Sequence, residues 1–347
     1  MGLRLGELAT IARAELRGDP DRLIERVSGL KEAAPGSISF LTNPQYRKYL
    51  ASTSASAVIL KPEDESHCKV DCLISDNPYL AHARVATALY PDKMLEPGIH
   101  ASASVDSTAQ VHPTAQVAPN AFVGARVVLG ENVFVGPGCV VLEDCELQSH
   151  TRLVAMVTLG SRTRLGQRCL IHPGTVIGSD GFGLANDNGA WVKVPQVGRV
   201  WLGDDVEIGS CCSIDRGAID DTVIDDGVKL DNQVHIAHNV TIGKHTAIAG
   251  CVGVAGSTRI GAYCTLAGAA AVTGHVELAD HVHVSGATSI TRSIRKPGVY
   301  TGTIPAMEHA AWLKNFARLR HLDDMVRRMR RLEKEIAALR ENKDNGT

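Results

Sequence analysis

The sequence predicts a mainly β protein built on a parallel β-solenoid, with a small α/β domain before it and α-helices after it. Two observations carry this. From Ile99 an aliphatic residue returns at every sixth position, through Val105, Val111, Val117, Val123, Leu129, Val135, Val141, Leu147, Leu153, Leu159, Leu165, Ile171 and Ile177. A second row runs Ile224, Leu230, Ile236, Ile242, Ile248, Val254, Ile260, Leu266, Val272, Leu278, Val284 and Ile290, with Leu202, Ile208 and Ile214 in step between the rows. Composition agrees: aromatics are only 4% of 347 residues while glycines number 33, which suits many small similar layers better than one bulky core. Each hexad reads as a short strand and a turn, its aliphatic residue inward and small residues or glycine easing the corner. Three hexads close a coil of 18 residues, and each coil buries its apolar face only on its neighbours.

Residues 1–98 lack the period and read as an N-terminal α/β domain, with helices expected over 3–16 and 78–90 and aliphatic strands at Ala57–Leu60 and Cys72–Ile74. Within it, SFLTNPQYRKYL (39–50) carries an Asn-Pro turn signal, with Phe40, Asn43 and Tyr46 three residues apart. That spacing fits either a local packing cluster or an aromatic slot for a nucleobase, with the asparagine amide as donor and acceptor.

The solenoid should cover 99–294. Its register breaks twice, between Ile177 and Leu202 and between Ile214 and Ile224, so extra residues must leave the coil there. The longer insertion, 178–201, is a natural place for function or subunit contact on a regular rod, although a tolerated surface loop would look the same.

A C-terminal helical extension is expected over 295–347. Leu322, Met325, Met329, Leu332, Ile336 and Leu339 form a short heptad seam that needs a partner helix. Segment 292–334 holds eleven Lys and Arg against four Asp and Glu, readable as a solvated face or as a dock for an acidic protein.

Composition also excludes classes. A net charge of -2 supplies no global field for nucleic acid. Nine cysteines without a C-x-x-C pair read as reduced core thiols, not as a disulfide frame or metal cluster. Arg4 and Glu7 interrupt the N-terminal apolar stretch, and no apolar run approaches ~18 residues, so no signal peptide and no membrane span are expected and a cytoplasmic location is.

The residues that stand out chemically lie in LDNQVHIAHNV (230–240), AGS (255–257) and TGHVEL (273–278). His238 follows the inward Ile236 by two positions, and Gly256 follows Val254 by two, so the two stack on adjacent coils. An imidazole base beside a backbone N–H is what acyl transfer requires: one takes a proton from the attacking group, the other stabilises the oxyanion. His275 falls two coils along, displaced by one residue, where it could orient or bind substrate phosphate. Zinc is the competing reading. His235 with His238, or His281 with His283, could chelate a metal shared with another subunit, as in trimeric carbonic anhydrases on this kind of solenoid. Strand alternation puts His281 and His283 on one face, and His235 and His238 on opposite faces. Structural histidines, in a non-catalytic assembly rod, are the third reading.

Taken together, FLTNPQY, GSDGFG at the start of the insertion, VEIGSCCSIDRGAIDDT (206–222), LDNQVHIAHNV, TGHVEL and KPGVY (296–300) resemble the UDP-3-O-acylglucosamine N-acyltransferase family of lipid A biosynthesis over essentially the whole chain. The sister O-acyltransferase is similar in its solenoid but lacks the N-terminal domain and the DGFG insertion. The resemblance implies a left-handed β-helix and a homotrimer. It also implies transfer of a 3-hydroxyacyl chain from acyl carrier protein to the 2-amine of UDP-3-O-(3-hydroxyacyl)glucosamine. It places the base on His238, the oxyanion N–H on Gly256, a supporting histidine on His275 and the uracil contacts on Phe40, Asn43 and Tyr46. No cofactor or metal is implied for the enzyme itself, because the thioester arrives on the carrier's phosphopantetheine arm. Carrier proteins are acidic, which favours the docking reading of 292–334. Ala287, Thr288 and Ser289 are candidates to line the end of an acyl groove, and His235 has no assigned role.

Overall fold

The computed structural model describes residues 2–91 and 94–344; residue 1, residues 92 and 93 and residues 345–347, which fall within the expected terminal domains, lie outside the described residues. The chain divides into two compact units at Met94/Leu95, and the first solenoid strand is Gly98–Ile99.

The first unit is a five-stranded sheet in the order Glu15–Arg17, Asp71–Ile74, Ala57–Leu60, Ser37–Phe40, Arg26–Val27, parallel except for its Glu15–Arg17 edge. Helices α1 (Leu5–Ala12) and α2 (Pro78–Leu89) cover one face, where Leu5, Leu8, Ala81 and Val85 pack on Ile38, Ile59 and Leu73. On the other face Leu30, Leu41 and Leu50 cover Val58, Leu60, Cys72 and Ile74. A parallel sheet apolar on both sides requires both covers. The helix expected over 3–16 is therefore too long. Arg13 ends it in a left-handed conformation (φ 54°), and Glu15–Arg17 joins the sheet against Cys72–Ile74, so strand pairing overrides local helical pattern.

The second unit is the solenoid, whose three faces are parallel sheets of eleven, ten and nine strands. Val117 pairs with Val135 and Ile236 with Val254, so every ladder step returns after one coil. At the breaks Ile177 pairs with Ile214 and Ile214 with Ile236, so the excess residues loop out and the inward row is kept. Val123, Val135, Leu153, Leu159, Ile208 and Ile236 are wholly buried, each burial worth ~1.5–3 kcal/mol.

The corners differ from expectation. Most are turned by non-glycine residues in left-handed conformation, recurring every sixth position: Asn120, Arg126 and Asn132 early, then Asn239, His245, Cys251, Ser257, Tyr263, Ala269 and His275. That conformation costs roughly 1–2 kcal/mol per residue, and it is offset because the corner N–H donates one coil back, to a carbonyl as Ser257 does to His238 at 2.9 Å, or to a hydroxyl as Asn132 does to Thr114 Oγ1 at 2.9 Å. Many glycines instead directly follow the inward residue. A Cβ at Gly136 would lie 1.9 Å from the Val154 carbonyl oxygen, a backbone atom that cannot step aside.

The ladder runs past the expected boundary at 294, since Gly298–Tyr300 pairs with Val282–Val284. Helices α3 (His309–Leu319) and α4 (Leu322–Asp344) follow, and the whole apolar stripe of α4, from Leu322 to Leu339, is exposed. Among the described residues no helix is long and apolar enough to cross a membrane. Two of the nine cysteines, Cys211 and Cys251, are exposed at left-handed corners and not in the core.

The glycine pattern is testable. Gly136→Ala should destabilise the solenoid by about 1–3 kcal/mol through backbone collision. Gly253→Ala, where a Cβ meets nothing within 4 Å, should stay within about 0.5 kcal/mol of the parent. Denaturant midpoints of the two variants check this, and equal midpoints contradict it.

Candidate active site

Between the strand at His235–Ile236 and the next face, the chain turns a corner through Ala237, His238 and Asn239. One coil on, Val254 lies in register with Ile236, and the following corner presents Gly256. The structure brings the two together: a Cβ on Gly256 would stand 2.7 Å from both Cε1 and Nε2 of His238, so only glycine leaves the ring its place. Among the described residues the Gly256 N–H donates to no acceptor. The next corner holds His275, whose N–H donates to the Gly256 carbonyl at 3.1 Å and whose left-handed backbone (φ 60°) turns an exposed side chain outward.

Both register breaks contribute. Residues 184–193 of the insertion form a hairpin, which the sequence did not suggest. Ahead of it, Gly181 lies against the imidazole, its missing Cβ 2.8 Å from His238 Cβ and 3.0 Å from the buried Gln196 Oε1. The short loop after Ile214 acts through Asn239. The Asn239 Nδ2 donates to the Asp220 carbonyl at 2.9 Å, and its Oδ1 accepts the Ala218 N–H at 2.9 Å. Those two bonds fix the amide orientation, so Oδ1 faces His238 Nδ1 at 3.0 Å as an acceptor. In the neutral imidazole this contact puts the proton on Nδ1 and leaves the lone pair on Nε2, on the Gly256 side.

Asp215 lies within the VEIGSCCSIDRGAIDDT segment, where spacing alone does not mark it as a neighbour of His235. It is buried, accepts a hydrogen bond from Ser179 Oγ at 2.7 Å and sits 3.9 Å from His235 Nε2. Burial raises its carboxyl above the ordinary range, opposed by Ser179 and by positive charge on His235 and His238, with Asp180 adding to the rise. His235 thus borders the carboxylate, and His238 acts on it electrostatically. The opposite-face expectation applies to a regular strand, and the strand ends at Ile236, before His238. Next to Asp215, buried Arg216 holds the insertion's root through the carbonyls of Gly178 and Ser161, each at 2.9 Å. The His281 and His283 expectation also changes. His281 is a left-handed corner residue stacked on Tyr263, while His283 bonds Thr265 Oγ1 at 2.8 Å. Among the described residues no group of three or more His, Cys, Asp or Glu is arranged to hold a metal. Thr288 is buried and bonded to the Gly302 N–H, so it faces inward and not into a groove.

In the first unit Phe40 ends its strand and stacks on His82 of α2 at 3.9 Å between centroids, with Tyr79 6.0 Å away. Burial lowers the His82 pKa, and its buried Nδ1 has no partner. Asn43 caps the 3-10 helix Pro44–Tyr49 through the Gln45 N–H. Tyr46 is half exposed, and its ring neighbour is Tyr49. No ring contact joins Phe40 to Tyr46 among the described residues; the aromatic partners of Phe40 come from α2, a helix far along the chain that three-residue spacing could not reveal.

Comparison with known proteins agrees with this architecture. Residues 21–88 match the family of UDP-3-O-(3-hydroxymyristoyl) glucosamine N-acyltransferase, and residues 221–256 match the bacterial transferase hexapeptide (six repeats). The UDP-3-O-acylglucosamine N-acyltransferase of Pseudomonas fluorescens (strain Pf0-1) is 51% identical over 96% of this chain and 95% of that protein. That of Coxiella burnetii (strain RSA 493 / Nine Mile phase I) is 45% identical over 96% and 97%. A solved UDP-N-acetylglucosamine acyltransferase of Francisella novicida aligns with 63% of this chain and 73% of its own, at 23% identity and a TM-score of 0.47. With identity of this order along nearly its whole length, the chain belongs to the UDP-3-O-acylglucosamine N-acyltransferase family.

Proposed function

We propose that this acyltransferase of lipid A biosynthesis uses His238 and Gly256 to move a 3-hydroxyacyl chain from acyl carrier protein to the 2-amine of UDP-3-O-(3-hydroxyacyl)glucosamine. The observation that carries the reading is the fit of the His238 ring against a glycine whose N–H has no other acceptor. The free Nε2 takes a proton from the amine as nitrogen attacks the thioester carbonyl. The Gly256 N–H then holds the oxyanion, the C–S bond breaks, and the imidazolium returns its proton to the departing thiolate. Asn239 keeps Nδ1 protonated throughout, so the base nitrogen is always the one beside the donor. His275, one corner further, supports the substrate.

Phe40, Asn43 and Tyr46 form the uridine slot in this reading. The exposed Tyr46 and the unused Asn43 NH2 are available to a base, and Phe40 gives it a ring backed by His82. No cofactor or metal is needed, since the activated acyl group comes on the carrier's phosphopantetheine. The exposed stripe of α4 is the seam of a homotrimer. The basic residues of 292–334 meet the acidic carrier, which electrostatic steering would draw in.

His238→Ala should lower kcat by roughly 10²–10⁴-fold with an unchanged thermal midpoint; near-normal turnover in a pure preparation rejects it as base. Asn239→Ala should lower kcat by about 10²–10⁴-fold at unchanged KM, and side-chain 15N NMR should show His238 shifting toward the Nε2–H tautomer. A shift-free spectrum would remove Asn239 from the mechanism. Phe40→Ala should chiefly raise KM for the UDP-sugar; if only the thermal midpoint falls, the slot is wrong.

A further inference from the structure

Two thiols in the first unit stand outside everything described above. Cys68 ends the 3-10 helix Pro62–His67, and Cys72 lies in the strand Asp71–Ile74. Across this short turn both thiols converge on one carbonyl, that of Val70, with Cys68 Sγ at 3.7 Å and Cys72 Sγ at 3.2 Å. Their settings are unequal. Cys68 is partly exposed, while Cys72 is buried in the core. We propose that Cys68 and Cys72 form an oxidisable dithiol that closes to a disulfide under peroxide, and that closure disturbs the neighbouring segment 41–50.

The chemistry needs an accessible thiolate with a resolving thiol beside it. The adjoining Cys72 thiol lowers the Cys68 thiol to about 7, assisted by the backbone at Val70 and Lys69 and opposed by burial and by Asp71. The same contact, with burial and the charges of Glu65 and Asp71, raises Cys72, which therefore stays a thiol until it is used. Cys68 thiolate attacks one peroxide oxygen; the O–O bond breaks, leaving a sulfenic acid and one water once the departing hydroxide is protonated. Cys72 sulfur then attacks the sulfenic sulfur, its proton leaving with the displaced hydroxide as the second water. Two thiols are oxidised and one peroxide is reduced to two waters.

Transmission follows from packing. Cys72 belongs to the same core cluster as Leu41 and Leu50, with Tyr49, Cys68 and Val70 against its edge. These residues bracket Asn43 and Tyr46, so a bridge that draws Cys68 toward Cys72 must repack the floor beneath them. This part rests on the uridine-slot reading given above.

The test uses the full-length protein carrying Cys211→Ser and Cys251→Ser, which removes the two exposed thiols. One equivalent of hydrogen peroxide should yield a linked peptide containing Cys68 and Cys72, two hydrogens lighter than its reduced form and reversed by dithiothreitol. Peroxide that leaves both thiols open to alkylation, or that oxidises either one only to sulfinic acid, overturns the site. The bridged protein should then show a several-fold higher KM for the UDP-sugar with kcat held. If Phe40→Ala raises KM and the bridge does not, transmission is wrong. If Phe40→Ala has no effect either, the slot reading fails while the peptide map still decides the dithiol by itself.

Discussion

The hydrogen-bonded ladder between successive coils is the constraint from which the rest follows. Parallel strands can pair only at about 4.8 Å, so once Ile236 pairs with Val254, everything two residues beyond each must stack as well. His238 and Gly256 meet for that reason, as a by-product of core packing at two neighbouring inward residues. A solenoid thus fixes the separation of groups on adjacent corners as rigidly as it fixes its core, which is what a preorganised site requires.

Regularity alone would give the same corner in every coil. The two register breaks make one corner different while leaving the inward row undisturbed. The longer insertion places Gly181 against the imidazole from outside, with Gln196 beside Gly181 and Arg216 at its root. The shorter loop supplies Ala218 N–H and Asp220 C=O, which set the Asn239 amide and with it the His238 tautomer. Four extra residues between Ile214 and Ile224, a distance that a strict repeat would not allow, therefore set the amide that His238 Nδ1 meets.

Much of this was legible in sequence because the solenoid converts linear spacing directly into height. The inward rows, the stacking of Gly256 over His238 and the one-residue displacement of His275 all follow from counting by six and eighteen. Counting fails where backbone leaves the repeat. The approach of His235 to Asp215 depends on how the register break is spanned, and the hairpin at 184–193 depends on pairing inside the insertion. In the first unit no such rule operates. Phe40 finds Tyr79 and His82 through the packing of α2 on a sheet, and the strand at Glu15–Arg17 forms because a distant partner is present. The corners depart from the count in a third way. Repeat logic assigns glycine to ease them, yet a bond from the corner N–H to a carbonyl or hydroxyl one coil back lets asparagine, histidine or serine take the left-handed conformation, and many glycines serve contacts too close for a Cβ.

The central claim is that one missing Cβ lets the proposed base and the proposed oxyanion donor share a single spot, and turnover of the Gly256→Ala variant measures it most directly. The added methyl would meet the movable His238 ring and not backbone, so the protein should fold with its thermal midpoint and KM for the UDP-sugar nearly unchanged. Displacement of the imidazole should lower kcat by about 10²–10³-fold. Near-normal kcat in that variant would contradict the account, because the ring could then be moved from Gly256 without loss.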